Sequence, residues 1–268
     1  TSENTVVTEY EPVKKRSDSY QSEAALEQEF IRLLCEQGYE YLPIHREKDL
    51  TANLRKKLEE LNNYQFSDTE WDDFFKNAVA NPNEHIVEKT RKIQEDNVQV
   101  LTRDDGSSKN ITLIDKKNIH NNRLQVINQY VIGTENGAKH DNRYDVTVLV
   151  NGLPLVHIEL KRRGVAIREA FNQINRYQSD SFWAGCGLYE YIQIFVISNG
   201  TNTKYYSNST RRNAEKEHEK RGASKTKTSN SFEFTCFWAD ANNRVIPDLI
   251  DFTKTFFAKH TILNILTK

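Results

Sequence analysis

The feature that most constrains the fold is a strand–turn–strand segment in which charged residues interrupt apolar runs. Residues 143–161 read Arg-Tyr-Asp-Val-Thr-Val-Leu-Val-Asn-Gly-Leu-Pro-Leu-Val-His-Ile-Glu-Leu-Lys. Asn-Gly between alternating hydrophobic residues is the strongest short signal for a β-hairpin. Inside it lie Asp145, Glu159 and Lys161. Because charges on a buried sheet are costly unless they are paired or bind a metal, the segment predicts a catalytic metal site.

The pairing register of this hairpin decides whether the two acids meet. With a two-residue turn throughout, Asp145 would lie opposite Ile158, and Glu159 would point to the other face of the sheet. A three-residue loop with a bulge shifts the register by one residue and pairs the two acids. We therefore predict an odd loop or a bulge. Asp145, Glu159 and Lys161 then share one face, and Leu160 points into the core.

The residue types suit the cleavage of a phosphodiester bond. Mg²⁺ is usually held by one or two carboxylates together with waters and substrate phosphate. Asp145 and Glu159 would supply the carboxylates, and the carbonyl of Leu160 would add a third oxygen. Lys161 would orient the attacking water or stabilise the developing charge. The alternative is a surface ion pair on a half-exposed hairpin, because Asp…Glu-x-Lys also arises by chance in charged proteins.

A helix predicted after Gly164, ending near Ser179, adds a second observation. Gln173 and Tyr177 are four residues apart and therefore lie on one helix face. The functional interpretation has both facing the metal site, where they bond DNA or position the acids. The alternative is simple helix packing by Tyr177 with a solvated Gln173.

The rest of the chain mixes helical and strand-like patterns, which predicts the α/β fold class. The sequence predicts helices over 22–37, 50–63, 67–80 and 165–179 and one or two over 246–267, with strands over 39–44, 98–101, 111–114, 124–132, 191–198, 204–206 and 231–238. We expect a polar tail over residues 1–20 and one domain over 21–268. The helical end at 246–268 would lead to a further region.

Composition sets broad limits on function. The 268-residue chain is 28% charged with a net charge of −1, which neither indicates nor excludes nucleic-acid binding. A charged segment at 208–230 contains seven Lys/Arg and three Glu from Arg211 to Lys227. It is interpreted as a solvated loop, with a mobile arm that contacts phosphate as the alternative.

The cysteines and the apolar runs point to a cytoplasmic location. The three cysteines lie far apart with no Cys-x-x-Cys, so neither a zinc ribbon nor a disulfide framework is predicted. A reducing compartment suits them. No apolar run reaches the roughly 18 residues of a membrane span. The chain has no methionine, and a domain excised from a longer protein is expected.

Three segments in order resemble a known family. They are Arg143-Tyr144-Asp145, Ile158-Glu159-Leu160-Lys161 and Gln173-Ile-Asn-Arg-Tyr177. Together they resemble the PD-(D/E)xK nuclease superfamily with its Gln-x-x-x-Tyr element. More narrowly, they resemble the N-terminal nuclease domain of the type I restriction enzyme R subunit, over roughly residues 20–268. One departure is that no proline precedes Asp145.

The resemblance implies a restriction-endonuclease-like fold, with a mixed central sheet flanked by helices. It implies a catalytic set of Asp145, Glu159 and Lys161, supported by Gln173 and Tyr177, and a dependence on Mg²⁺. The substrate would be double-stranded DNA, and the partners would be methylation and specificity subunits. ATP would serve a motor C-terminal to this chain, since no Gly-x-x-x-x-Gly-Lys-Ser/Thr motif occurs here.

Weaker candidates and two rival functions remain open. Glu27 on the first helix is an additional acidic contributor or an exposed carboxylate, and Lys161-Arg162-Arg163 is a phosphate-steering patch or a solvated strand end. His157 is expected to be a packed or edge histidine. The rival functions are another nuclease of the superfamily, acting in repair or at junctions, and a non-catalytic module that clamps DNA or serves assembly.

Overall fold

A mixed central sheet organises the chain. The computed structural model describes residues 21–208 and 230–267; the predicted tail over 1–20 and nearly all of the predicted 208–230 insertion lie outside this part. The strands are β1 Glu40–Tyr41, β2 Val98–Thr102, β3 Ser108–Thr112, β4 Leu124–Ile132, β5 Asn142–Val150, β6 Leu153–Leu160, β7 Ile194–Ser198 and β8 Thr203–Ser207.

Six strands form this sheet in the order β1-β4-β5-β6-β7-β8, while β2 and β3 form a separate two-stranded sheet. The β1–β4 and β6–β7 pairs are parallel, and the other pairs of the large sheet are antiparallel. The predicted mixed α/β architecture is therefore confirmed. The β2–β3 hairpin is separate from this sheet.

Helices flank the sheet. They are α1 Glu23–Glu36, α2 Glu47–Asn62, α3 Asp68–Phe74, α4 Ile86–Gln94, α5 Ile167–Asp180, α6 Leu249–Phe256 and α7 Lys259–Thr267. A π-helical turn, Phe75–Val79, continues α3, and 3-10 turns occupy Ile119–Asn121, Thr134–Asn136, Leu188–Tyr191 and Asn230–Phe234. The predicted N-cap of α1 is confirmed, because the Ser22 hydroxyl accepts a hydrogen bond from the Ala25 N–H.

Two regions differ from the sequence prediction. The predicted strand over 231–238 is wrong: a 3-10 turn lies there, and only a single bridge between Tyr205 and Cys236 extends the sheet. Helix α4 was not predicted, because two of its buried residues are lysines rather than apolar residues. Lys89 is paired with Glu190 and Lys92 with Glu84, which compensates their burial.

The hairpin β5–β6 lies at the centre of the molecule. Every residue of β6 is buried, and this strand lies between β5 and β7. Helix α5 packs its apolar face, Ala170, Phe171, Ile174 and Tyr177, into the same core. The charged side chains at the end of β6 therefore lie next to the apolar core, on a strand that is paired on both sides.

Candidate active site

The turn of the central hairpin has two residues. Asn151 and Gly152 have φ angles of 51° and 85°, as a two-residue turn of the primed type requires. Val150 pairs with Leu153 directly across it. The three-residue loop is therefore wrong. Glycine is also needed for space, since a Cβ at position 152 would lie 2.6 Å from the Cα of Leu54.

A β-bulge in the following strand shifts the register by one residue. Leu149 pairs with Pro154, whereas Val148 pairs with Val156, so Leu155 is the extra residue. Proline has no N–H to donate to the ladder, and such residues favour bulges. The prediction of a bulge is confirmed.

Beyond the bulge the two acids become neighbours. Pairing continues to Val146 with Ile158, and in this register Asp145 comes opposite Glu159. The Asp145 Oδ2 accepts a hydrogen bond of 2.9 Å from the N–H of Leu160. The side chain of Leu160 is in the core, as predicted.

Lys161 is the third charged residue at this site. Its Nζ lies 3.0 Å from Glu159 Oε1 and 3.1 Å from the carbonyl oxygen of Leu160. The lysine side chain is 12% exposed, while that of Glu159 is fully buried. The structure therefore brings together the predicted carboxylates, the Leu160 carbonyl and the lysine at the end of β6.

One carboxylate oxygen of Glu159 has no N–H or hydroxyl donor. Within the described part of the chain, Oε2 receives no hydrogen bond from such a group. Nε2 of His157 lies 3.5 Å from this oxygen. Burial lowers the pKa of His157 to about 4, so this packed imidazole is neutral at neutral pH. A buried carboxylate oxygen in this state is costly unless a proton or a cation satisfies it.

The electrostatics agree with this geometry. Burial, followed by the charge of Glu159, raises the pKa of Asp145 to about 7, although the Leu160 N–H and Lys161 oppose the change. Burial likewise raises the pKa of Glu159 to about 7, against Lys161 and against a hydrogen bond with Asp145. Burial lowers the pKa of Lys161, but the charge and hydrogen bond of Glu159 together with the charges of Asp145 and Glu23 outweigh burial, so the pKa is raised. The pKa of each acid thus lies near neutral pH rather than in the usual range of a carboxylate.

The donor set suits a hard divalent cation. No group of three or more His, Cys, Asp or Glu that could hold a metal occurs within residues 21–208 and 230–267. Protein ligands here would be two carboxylates and one carbonyl oxygen. Mg²⁺ needs no more, because it keeps several waters and takes only one or two carboxylates from a protein.

Gln173 and Tyr177 are linked by hydrogen bonds to each other and to strand β5. The Gln173 amide donates a hydrogen bond to the Tyr177 hydroxyl, and this hydroxyl donates to the carbonyl oxygen of Arg143 at 2.9 Å. Tyr177 is 2% exposed, and burial, then the charge of Glu159, raises its pKa. This geometry fits the predicted positioning of the acids, because Arg143 precedes Asp145 by two residues in β5.

Helix α1 contributes residues that the sequence pattern alone underestimates. Glu27 is buried and accepts hydrogen bonds from the side-chain amides of Asn128 and Gln129. Glu23 accepts a hydrogen bond of 3.3 Å from the Arg162 N–H, and its charge contributes to the raised pKa of Glu159. The four-residue spacing of the two glutamates on one helix was the available sequence signal.

The six-stranded mixed sheet with flanking helices is compatible with a restriction-endonuclease-like fold. The family model described as type I restriction enzyme R protein N terminus matches residues 20–214. The chain belongs to this family, and the predicted resemblance is confirmed.

Curated relatives carry the same family name. The chain is 50% identical over 262 residues to the type I restriction enzyme EcoprrI endonuclease subunit of Escherichia coli, covering 97% of this chain and 78% of the relative. It is 36% identical over 254 residues to the SsaAORF53P endonuclease subunit of Staphylococcus saprophyticus, covering 93% and 24%. With the SauMSSORF170P subunit of Staphylococcus aureus it shares 37% identity over 243 residues, covering 89% and 23%. The chain spans about a quarter of these staphylococcal relatives.

In the part of the chain that the structure describes, no helix is both long and apolar enough to cross a membrane.

Proposed function

We propose that this domain is the Mg²⁺-dependent endonuclease of a type I restriction enzyme R subunit, and that it cleaves phosphodiester bonds of double-stranded DNA. The main support is the buried pair Asp145 and Glu159 beside Lys161, with one oxygen of Glu159 that receives no hydrogen bond from an N–H or hydroxyl group of the described residues. Support also comes from relatives that are named endonuclease subunits.

The metal would be held by the carboxylates of Asp145 and Glu159 and by the carbonyl oxygen of Leu160. When bound, Mg²⁺ lowers the pKa of a coordinated water and polarises the scissile phosphate. The Leu160 N–H fixes one oxygen of Asp145, at 2.9 Å, so the carboxylate is already oriented before any ligand arrives. This pre-organisation is the main contribution of the protein at such a site.

Lys161 is the cation next to the reacting groups. Its Nζ is within hydrogen-bond distance of Glu159 and of the Leu160 carbonyl oxygen, and its side chain is partly accessible. In this position it orients the attacking water and stabilises the charge that develops on the phosphate. Tyr177, with Gln173 bonded to its hydroxyl, supports β5 through the hydrogen bond to the carbonyl oxygen of Arg143.

The proposed motor, partner subunits and cellular location follow from membership of the family. In the proposed parent enzyme, an ATP-driven motor translocates DNA, and methylation and specificity subunits select the site. The enzyme works in the cytoplasm. Arg162 is exposed at the end of β6 beside the acids, where it would meet the phosphate backbone rather than base edges.

The test replaces Lys161 with Ala, and separately Asp145 with Asn, in the assembled parent enzyme. DNA cleavage should be lost while ATP hydrolysis persists, since the motor is a separate region. Lys139→Ala is the matched control, because this lysine is exposed and its closest acid, Asp180, is 4.0 Å away. Cleavage at the wild-type level in either site variant would refute the assignment and favour a clamping or assembly module.

A further inference from the structure

Strand β4 has an irregular residue directly beside the acid pair. Asn128 pairs with Val146 and Tyr130 pairs with Tyr144, so Gln129 faces Asp145 across the β4–β5 ladder. Gln129 has a φ of 53°, in the left-handed region that residues with a side chain avoid. Such outliers persist only where the surroundings hold them, and they cluster at functional sites.

Glu27 of helix α1 stabilises this conformation through hydrogen bonds. Its Oε1 accepts a hydrogen bond of 2.6 Å from Asn128 Nδ2, and its Oε2 accepts one from Gln129 Nε2. Asn128 is fixed further by the Tyr41 hydroxyl, which donates to its Oδ1 at 3.0 Å. Glu27 is 9% exposed, so these charge-assisted hydrogen bonds form in a largely dry environment, where they are strong.

Helix α1 also contacts the chain just after β6, next to Glu159 and Lys161. One turn before Glu27, Glu23 accepts the hydrogen bond from the Arg162 N–H, at the end of β6. Helix α1 therefore contacts β4 on one side of the acid pair and the residues after β6 on the other. A small movement of either strand changes the separation of Asp145 and Glu159.

We propose that Glu27 is a positioning residue: by holding Gln129 in its left-handed conformation, it fixes β4 against Asp145 and so sets the geometry of the acid pair. The inference rests on the proposed function. It assigns Glu27 no metal, because both of its oxygens are already engaged by amide donors.

If Glu27 positions β4, Glu27→Gln should be tolerated; if its negative charge is needed, the variant should fail. The amide oxygen of a glutamine can still accept the hydrogen bond from Asn128, and the Gln129 amide can rotate so that its oxygen accepts from the new NH₂ group. The network then survives without the negative charge. A role as metal ligand or acid requires the charge, so Glu27→Gln would behave like Glu27→Ala.

Gln129→Gly gives an independent test. Glycine adopts positive φ without steric cost, so it reduces the need for Glu27. The double variant Glu27→Ala, Gln129→Gly should therefore be more active than Glu27→Ala alone. If the two substitutions acted independently, the activity of the double variant would instead fall by the product of the two single losses.

The experiment uses the assembled enzyme and measures the DNA cleavage rate and the binding of Mn²⁺. Glu27→Ala should lose about tenfold or more in rate, because small misplacements of catalytic groups are costly. Glu27→Gln should stay within about threefold of wild type, and adding Gln129→Gly should restore at least about threefold to Glu27→Ala. Mn²⁺ affinity should follow the same order. Glu36→Ala, on the exposed last turn of α1, is the control and should cleave normally.

Hydrogen exchange separates this inference from the proposed function. The amides of Asp145 and Leu160 should exchange faster in Glu27→Ala and at the wild-type rate in Glu27→Gln, whether or not the enzyme cleaves DNA. Cleavage by Lys161→Ala would remove the proposed function and leave this exchange result standing. The inference is overturned if Glu27→Gln matches Glu27→Ala, or if the double variant is no better than Glu27→Ala.

Discussion

Replacing Glu159 with Gln should stabilise the metal-free protein at alkaline pH while abolishing cleavage. Glu159 is fully buried, and its Oε2 lacks an N–H or hydroxyl donor within the described residues. Burial raises its pKa from 4.5 to about 7, so the folded state binds a proton that the unfolded state has already released. This contribution to stability is complete below pH 4.5 and is lost as the pH rises to about 7.

The magnitude follows from the size of the shift. One pKa unit corresponds to about 1.4 kcal/mol, so the rise from 4.5 to about 7 sets an upper limit of about 3.5 kcal/mol. The attraction of Lys161 is already included in this pKa, and the amide oxygen of a glutamine can still accept a hydrogen bond from the lysine. A glutamine also places an amide NH₂ group in the buried site, which reduces the gain, and we expect a net gain of about 1–2 kcal/mol at pH 8.

Urea denaturation in EDTA at pH 5 and pH 8 would measure the effect. The advantage of Glu159→Gln should be largest at pH 8 and clearly smaller at pH 5, and Mg²⁺ should stabilise the wild type but not the variant. A variant that is less stable than wild type at pH 8, or a difference that does not change with pH, would refute the reasoning.

Glu70→Gln is a control of opposite sign. The carboxylate of Glu70 accepts hydrogen bonds from the N–H groups of Ser67 and Asp104. Burial acts to raise its pKa, but the hydrogen bonds outweigh burial and the pKa is lowered. Its contribution is therefore present at neutral pH and lost in acid, and Glu70→Gln should destabilise the protein at pH 8.

Two further predictions concern the support of the hairpin. Tyr177→Phe removes the donor to the carbonyl oxygen of Arg143 and should cost about 1–2 kcal/mol of unfolding free energy and slow cleavage; unchanged urea midpoints would contradict the role of this bond. Gly152→Ala places a Cβ 2.6 Å from the Cα of Leu54 and should cost more than about 2 kcal/mol. Gly106→Ala, also at positive φ but in open space, should cost only about 1 kcal/mol. Equal losses for the two glycines would exclude the steric explanation.

The sequence predicted those parts of the fold that local pattern controls. The helices and strands next to the site follow from hydrophobic period and caps: α5 begins where the apolar period changes, and β4 has its predicted bounds. The pairing of the acids also followed, because chemistry required Asp145 and Glu159 on one face. The family added the roles of these residues, which the pattern alone leaves open.

Tertiary interactions determined the features that the local sequence pattern did not predict. Lys89 and Lys92 give no apolar pattern for helix α4, yet both are buried, each against an acid outside that helix, Glu190 and Glu84. Gln129 gives no local signal of positive φ, since glycine and asparagine are the residues that usually show it. Its conformation depends on Glu27, about a hundred residues earlier in the chain.

The bulge at Leu155 reconciles two demands that one hairpin cannot meet with a regular ladder. Asn151-Gly152 favours the tight two-residue turn, and that turn alone would direct Glu159 away from Asp145. One extra residue, placed immediately after Pro154, where the ladder already lacks a donor, corrects the register. The irregular residue of β4 lies across from Asp145, on the other side of the same strand. Irregular backbone thus flanks β5 on both sides, and in each case it serves the position of the carboxylates rather than the stability of the sheet.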